Sequence, residues 1–228
     1  MTVRGRLEPN GRRWKVLIVD DHPIVRRGIA QLIGGEEDFI VHAEAATAAE
    51  AIEVLRTSRP DVVVVDLTLA GGGGGLGLIK DMRHWVADLP ILVLSMHDES
   101  LHAERALRAG AMGYVMKHEA TERIVEAIRQ VLRGEIYLST RMKERLLHRL
   151  VGENGTVQTT SPLEVLTDRE MEVFQLVGRG LSTREVAEQL CLSVKTIETH
   201  LDHIKTKLGL ESGRELVRFS ATWFMEPI

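Results

Sequence analysis

A doubly wound, parallel five-stranded α/β sheet followed by a small all-α domain is the fold class this sequence predicts, and three observations lead to it. Short apolar runs alternate five times with segments of helical periodicity between Trp14 and Arg133, and such alternation requires crossover connections that place helices on both faces of a parallel sheet. The run Val62-Val63-Val64-Val65 is β-branched and uniformly apolar, which suits a short strand buried on both faces and not an amphipathic helix. From Leu166 onward the pattern is helical throughout. A length of 228 residues accommodates two such domains.

Taken in order, Trp14 to Val19 is an apolar strand closed by Asp20-Asp21, and Pro23 opens a helix whose apolar positions run from Ile24 to Ile33 before Gly34-Gly35. Phe39 to Ala43 is the second strand. Thr47 caps a helix to about Thr57, with Ala48, Ala51, Ile52 and Leu55 as its apolar stripe. Pro60 separates this unit from Val62 to Val65, a strand that ends in Asp66. Five glycines, Gly71 to Gly75, precede a helix over Leu76 to Trp85. The strand Ile91 to Leu94 ends at Ser95, a helix follows from Glu99 to Ala109, and the strand Gly113 to Met116 exits at Lys117. A helix from about Thr121 to Arg133 completes the first domain, 14–134. Residues 135–162 read as a linker containing a helix capped by Ser139, and 163–228 as the all-α domain.

Composition narrows the classes. A net charge of −4 with 44% hydrophobic and 27% charged residues is ordinary for a globular protein and does not announce nucleic acid. No apolar run approaches the roughly 18 residues needed to cross a bilayer, so a cytoplasmic protein without a membrane partner is expected. The single cysteine, Cys191, excludes an internal disulfide and a cysteine metal site, and is expected to be a small buried side chain.

Asp20, Asp21, Asp66, Ser95 and Lys117 all fall at or just beyond predicted strand ends on one edge of the sheet, where open α/β folds build their sites. Three carboxylates so placed call for a cation, and an oxygen-rich set suits Mg2+. A carboxylate is a competent nucleophile toward a phosphoryl group when fixed donors absorb charge on the transferred oxygens; Lys117 offers an ammonium and Ser95 a hydroxyl. The glycine run is no nucleotide loop, because Lys80 is followed by Asp81 and no Gly-Lys-Ser/Thr occurs.

With Asp20-Asp21, Asp66, Ser95 and Tyr114-Val115-Met116-Lys117 in this order, residues 14–134 resemble the flavodoxin-like receiver domain of two-component response regulators. The resemblance implies Asp66 as phosphoacceptor, Mg2+ held by Asp20, Asp21, Asp66 and the Thr68 backbone carbonyl, and Ser95 and Tyr114 as a switch pair. For Tyr114 a permanently packed sheet-edge aromatic is the alternative. Thr68 and His97 are expected to flank the path of a hydrolytic water. The chain departs from the family pattern after Asp66: Ala70 stands at the usual proline position and five glycines follow with one extra residue, so a pliable loop is expected.

In the all-α part, Ser182 caps a helix to Leu190, and Ser193 caps a longer one to Leu208 with Val194, Ile197, Leu201, Ile204 and Leu208 as its buried stripe. Short helix, tight turn and second helix make a helix-turn-helix. Leu166-Thr167-Asp168-Arg169-Glu170, Lys195-Thr196-Ile197 through His200, and Lys207-Leu208-Gly209 resemble the LuxR-type DNA-binding domain, and the two halves together resemble the NarL/FixJ class. The likeness implies that Ser193 to Lys207 enters the major groove of double-stranded promoter DNA, with Lys195, Thr196, Glu198, Thr199, Asp202 and Lys205 as candidate contacts. Glu198 and Asp202 read equally well as cytosine acceptors or solvated surface acids. From Pro162 on, eleven acids face eight bases, so monomer affinity should be weak and salt-sensitive, and dimerisation on activation should compensate. A cognate histidine kinase is the implied phosphodonor. The chain is not expected to be an enzyme: an aspartyl-phosphate hydrolase would want a second carboxylate two residues after Asp66, where Thr68 stands. A regulator controlled by ligand binding at the glycine loop is disfavoured by the intact acidic set.

Overall fold

The computed structural model describes residues 12–69, 74–96, 99–151 and 162–225, and the chain divides into two compact units, Met1–Val151 and Gly152–Ile228. The first contains β1 (Trp14–Val19), α1 (Pro23–Gly34), β2 (Phe39–Ala45), α2 (Ala48–Ser58), β3 (Val62–Val65), α3 (Gly74–Trp85), β4 (Ile91–Ser95), α4 (Glu99–Ala109), β5 (Gly113–Met116), α5 (Ala120–Leu132) and α6 (Thr140–Val151). The strands form one parallel sheet in the order β2-β1-β3-β4-β5. Strand order reverses between β1 and β3, which opens a crevice at their carboxyl ends.

The four valines explain the layering. Val63 and Val65 join Leu17, Val19, Ile91 and Val93 in an apolar cluster with α2, α3 and α4. Val62 and Val64 join Val16, Ile18, Leu92 and Leu94 in a second cluster with α1 and α5. Period-two alternation thus feeds both faces, and an apolar residue is needed at every position. Thr47 caps α2 by accepting the Glu50 N–H at 3.2 Å. Pro23 opens α1, but Ile24 beside it is 87% exposed, so the apolar face of α1 begins one residue later than the spacing suggests.

Gly75 brings α3 close to β3. Its N–H donates to the Leu67 carbonyl at 2.9 Å, and a Cβ there would lie 2.2 Å from the Asp66 carbonyl oxygen and 2.5 Å from Leu67 Cα. The last glycine of the run is therefore a close-approach residue. Gly71, Gly72 and Gly73, with Ala70, lie outside the described residues, as do His97 and the linker segment 152–161.

Residues after α5 add to the first unit. Tyr137 pairs alongside β5, its N–H donating to the Met112 carbonyl at 3.0 Å and its carbonyl accepting the Tyr114 N–H at 2.9 Å. Leu138, Met142 and Leu146 then pack with the α2–α4 cluster. Ser139 caps α6, its hydroxyl accepting the Met142 N–H at 3.1 Å.

The second unit contains α7 (Asp168–Gly178), α8 (Thr183–Gln189), α9 (Val194–Leu208) and α10 (Gly213–Met225). Capping boxes start α7 (Thr167 with Glu170) and α8 (Ser182 with Glu185), and Ser193 caps α9. Phe174, Val186, Ala187, Ile197, Ile204 and Leu216 form its interior. Two expectations are corrected. Val194, the first residue of α9, is 42% exposed, and the buried stripe of that helix begins at Ile197. Cys191 is exposed, since it occupies the left-handed position of the helix-helix turn at φ 52°, which directs its side chain away from the packed helices.

Candidate functional site

Val19 and Val65 are register partners, so Asp20 and Asp66 leave β1 and β3 side by side, and the Asp66 N–H donates to the Val19 carbonyl at 2.8 Å. Lys117 reaches in from the end of β5 and sets its Nζ 2.7 Å from both Asp20 Oδ2 and Asp66 Oδ2. All three side chains are buried. Thr68 is next to this group; its backbone N–H donates to Asp66 Oδ1 at 3.1 Å. Ser95 is fully buried at the end of β4, the strand adjacent to β3, and Tyr114 is buried on β5 in the α2–α4 cluster.

One ammonium serves two buried carboxylates, and the electrostatics divide accordingly. Burial pushes the Asp66 carboxyl above the ordinary carboxylate range; Lys117 and the Thr68 N–H oppose this without overcoming it, and the Asp20 charge adds to it. Burial also works against the charged form of Lys117, but Asp66 and Asp20 outweigh it and hold the amine charged above the ordinary lysine range.

Potential ligand atoms of Asp20, Asp21, His22 and Asp66 all lie within 4.8 Å of one another. With the acids ionised, three carboxylates against Lys117 leave about two negative charges in a crevice, and oxygen donors predominate; both features fit a hard divalent cation. Two neighbours of this set escaped the sequence reading. His22 places Nδ1 2.7 Å from Asp21 Oδ1 and 3.3 Å from Asp20 Oδ1; its position directly after the acidic pair was the available signal. Arg26 donates from Nη1 to the Asp20 carbonyl at 2.6 Å and from Nε to Glu44 at 3.0 Å, one helical turn after His22.

In the second unit, Lys195, Glu198, Thr199 and Asp202 are exposed on α9, while Thr196 and Lys205 are half-buried. Thr196 donates its N–H to the Ser193 hydroxyl at 3.1 Å, and Thr199 donates its hydroxyl to the Lys195 carbonyl at 3.0 Å. Lys205 lies 2.8 Å from Asp202 Oδ1, so these two candidate contacts neutralise one another. The helix is held from behind: Lys207 Nζ donates to the buried Glu170 carboxylate at 2.6 Å, and Glu170 also accepts the Thr167 N–H at 2.7 Å. Burial works against ionisation of Glu170, yet these partners hold it below its ordinary range. Arg169 donates to the Leu190 carbonyl at 2.8 Å, fixing the helix-helix turn to α7. No helix among the described residues is long and apolar enough to cross a membrane.

Comparison with known proteins agrees with both halves of this geometry. Residues 16–129 match the response regulator receiver domain, and residues 164–220 match the luxR family of bacterial regulatory proteins. The oxygen regulatory protein NreC of Staphylococcus aureus is 36% identical over 208 residues, covering 90% of this chain and 96% of the relative. Among solved structures, the Salmonella typhimurium RcsB response regulator is similar with a TM-score of 0.66 at 26% identity, covering 92% of this chain and 98% of that one. RcsB from Salmonella enterica serovar Typhimurium bound to promoter rprA in the presence of phosphomimetic BeF3- gives a TM-score of 0.60 at 28% identity, with 92% and 99% covered. A LuxR-family two-component response regulator from Aurantimonas sp. SI85-9A1 is 39% identical with a TM-score of 0.56, covering 61% of this chain and 99% of that one. With a receiver domain joined to a LuxR-type helix-turn-helix, the chain belongs to the NarL/FixJ class of two-component response regulators.

Proposed function

We propose that this chain is a cytoplasmic, DNA-binding transcriptional regulator switched by phosphotransfer from a cognate histidine kinase to Asp66, with residues 14–134 as the receiver, 135–162 as the connection and 163–228 as the DNA-binding domain. The observation that carries the reading is the placement of Lys117 Nζ 2.7 Å from both Asp20 and Asp66 at the crevice between β1 and β3. In the proposed transfer an Asp66 carboxylate oxygen bonds to phosphorus as the phosphorus–nitrogen bond of a kinase phosphohistidine breaks, and the imidazole leaves as the departing group. Asp20, Asp21, Asp66 and the Thr68 carbonyl are the proposed Mg2+ ligands, and the cation when bound supplies positive charge to the phosphoryl oxygens. Lys117 exchanges a carboxylate oxygen for a phosphoryl oxygen, Ser95 donates its hydroxyl to another, and Tyr114 reports the change through the core it shares with α4.

On the output side, Lys195, Thr196, Glu198, Thr199, Asp202 and Lys205 form the α9 surface proposed to meet promoter DNA, and the activated chain acts as a homodimer. Support comes from the exposure of α9 and from the RcsB structure with promoter DNA and a phosphomimetic. The test is incubation with Mg2+ and a small-molecule phosphodonor. Wild-type protein should acquire a base-labile phosphate that Asp66→Asn abolishes; an equal signal in both proteins would sink the assignment. Oligomeric state and promoter binding measured on the same samples should rise together in the wild type alone.

A further inference from the structure

The last stretch of the first unit, from Tyr137 to Val151, is attached to α4 and β5. Glu99 opens α4, four residues beyond Ser95, and is buried. Its Oε1 accepts the Ser139 N–H at 2.9 Å, so one carboxyl side chain joins the start of α4 to the start of α6. An acceptor there is doubly favoured, since the N–H groups of the first turn of α6 have no partner within the helix and the helix dipole favours an acidic group. Arg145, one turn and a half into α6, donates back to the Ser100 carbonyl at 3.4 Å.

A second attachment is independent of Glu99. Tyr137 is hydrogen-bonded through its backbone to Met112 and Tyr114, and the fit depends on Gly113, where a Cβ would lie 3.0 Å from Tyr137 Cβ and 2.8 Å from Leu92 Cδ1. Leu138 and Met142 are buried in the cluster that holds Tyr114, Ala103 and Ala106. The segment is therefore fixed to α4 by a side-chain hydrogen bond, to β5 by backbone pairing, and to the core by apolar contact. One anchor, Glu99, lies four residues after Ser95, and the other pairs with Tyr114.

We propose that Tyr137–Leu146 is a latch, docked on α4 and β5 while Asp66 is unmodified and released when phosphorylation shifts the start of α4 at Glu99, which frees the end of the first unit. This rests on Asp66 being the phosphoacceptor. The Glu99–Ser139 hydrogen bond is the part of the latch most sensitive to movement of α4, because an N–H···O contact of 2.9 Å is lost when the acceptor moves by about 1 Å. The other hydrogen bond between α4 and α6, from Arg145 to the Ser100 carbonyl, is longer at 3.4 Å, and the rest of their contact is apolar packing, which tolerates sliding better than a hydrogen bond does.

Hydrogen exchange of the full chain, read by mass spectrometry with and without Mg2+ plus beryllofluoride as the phosphoryl mimic, tests this. In wild-type protein the mimic should slow exchange over 62–69 and speed it over 137–146 by about tenfold. Glu99→Ala should speed 137–146 by a similar factor without the mimic, whereas Glu99→Gln, which keeps an acceptor oxygen, should stay within about threefold of wild type. If Glu99→Ala fails to fold, Arg145→Ala serves instead, with an expected acceleration of about threefold. Protection over 62–69 with unchanged exchange over 137–146 overturns the latch and leaves the phosphoacceptor reading intact. No response over 62–69, together with no phosphate on Asp66, overturns that reading and the trigger of the latch with it.

Discussion

Replacing Gly75 by alanine offers a direct test of how α3 is packed against the residues that follow β3. The added Cβ would stand 2.2 Å from the Asp66 carbonyl oxygen and 2.5 Å from Leu67 Cα, and both distances must open to about 3.4 Å for ordinary contact. Backbone opposes backbone, so no rotamer change relieves the clash, and α3 must move away from β3. Overpacking of this kind costs about 1–3 kcal/mol, and separation also weakens the Gly75 N–H to Leu67 carbonyl bond, worth about 1 kcal/mol. A loss of about 3 kcal/mol is expected, or a fall in Tm of about 6–12 °C for a unit of this size. Gly77 is the internal control. It lies in the same helix with nothing within 4 Å of its would-be Cβ, so Gly77→Ala should stabilise by about 0.5–1 kcal/mol through helix propensity and reduced unfolded-state entropy. Thermal denaturation of the two variants should therefore show shifts of opposite sign. If Gly75→Ala melts within about 2 °C of wild type, or the two shifts share a sign, the close approach of α3 to Asp66 is refuted.

Three further outcomes are expected. The folded-state pKa of Glu170 lies below its ordinary 4.5, so its ionised form contributes stability above about pH 4.5 that is lost as pH falls through the lower folded value. Urea denaturation should find Glu170→Gln less stable by about 1–2 kcal/mol near neutrality, with the gap closing in that acid window; a constant gap across pH would contradict the ion pair with Lys207. Because Asp202 occupies Lys205, Asp202→Ala should tighten non-specific DNA binding several-fold and steepen its salt dependence, while Lys195→Ala should reduce the slope of log K against log salt by about 0.9. Fluorescence anisotropy across a salt series reads both, and weaker non-specific binding by Asp202→Ala would contradict the neutralising role. Lys117 Nζ lies 2.7 Å from the carboxylates of Asp20 and Asp66, the proposed Mg2+ ligands, so on that proposal Lys117→Met should bind Mg2+ about tenfold tighter by titration calorimetry; unchanged or weaker binding would show that the ammonium does not compete.

Much of this molecule was legible in local patterns, because those patterns report which face of an element meets the core. The valine run determined a strand buried on both sides, the five alternations determined a parallel sheet, and Asp20, Asp66 and Lys117 could be read as neighbours because each directly follows a strand. Capping residues at Thr47, Ser139, Ser182 and Ser193 marked helix starts within a residue or so, since a cap acts on N–H groups only two or three positions away. Tertiary structure alone decided what depends on the approach of distant elements. Val19 and Val65 had to pair in register before Asp20 and Asp66 could share one ammonium. The packing of α3 turned Gly75 from a pliable residue into a required one. The hydrogen bond from Ser139 to Glu99 spans forty residues of chain. Cys191 was misjudged as buried because its exposure follows from the backbone direction of a turn, which hydrophobicity does not encode. Sequence thus determined the elements and the chemistry at their ends, while the packing of elements against one another decided which of those groups share charge and which segment they hold.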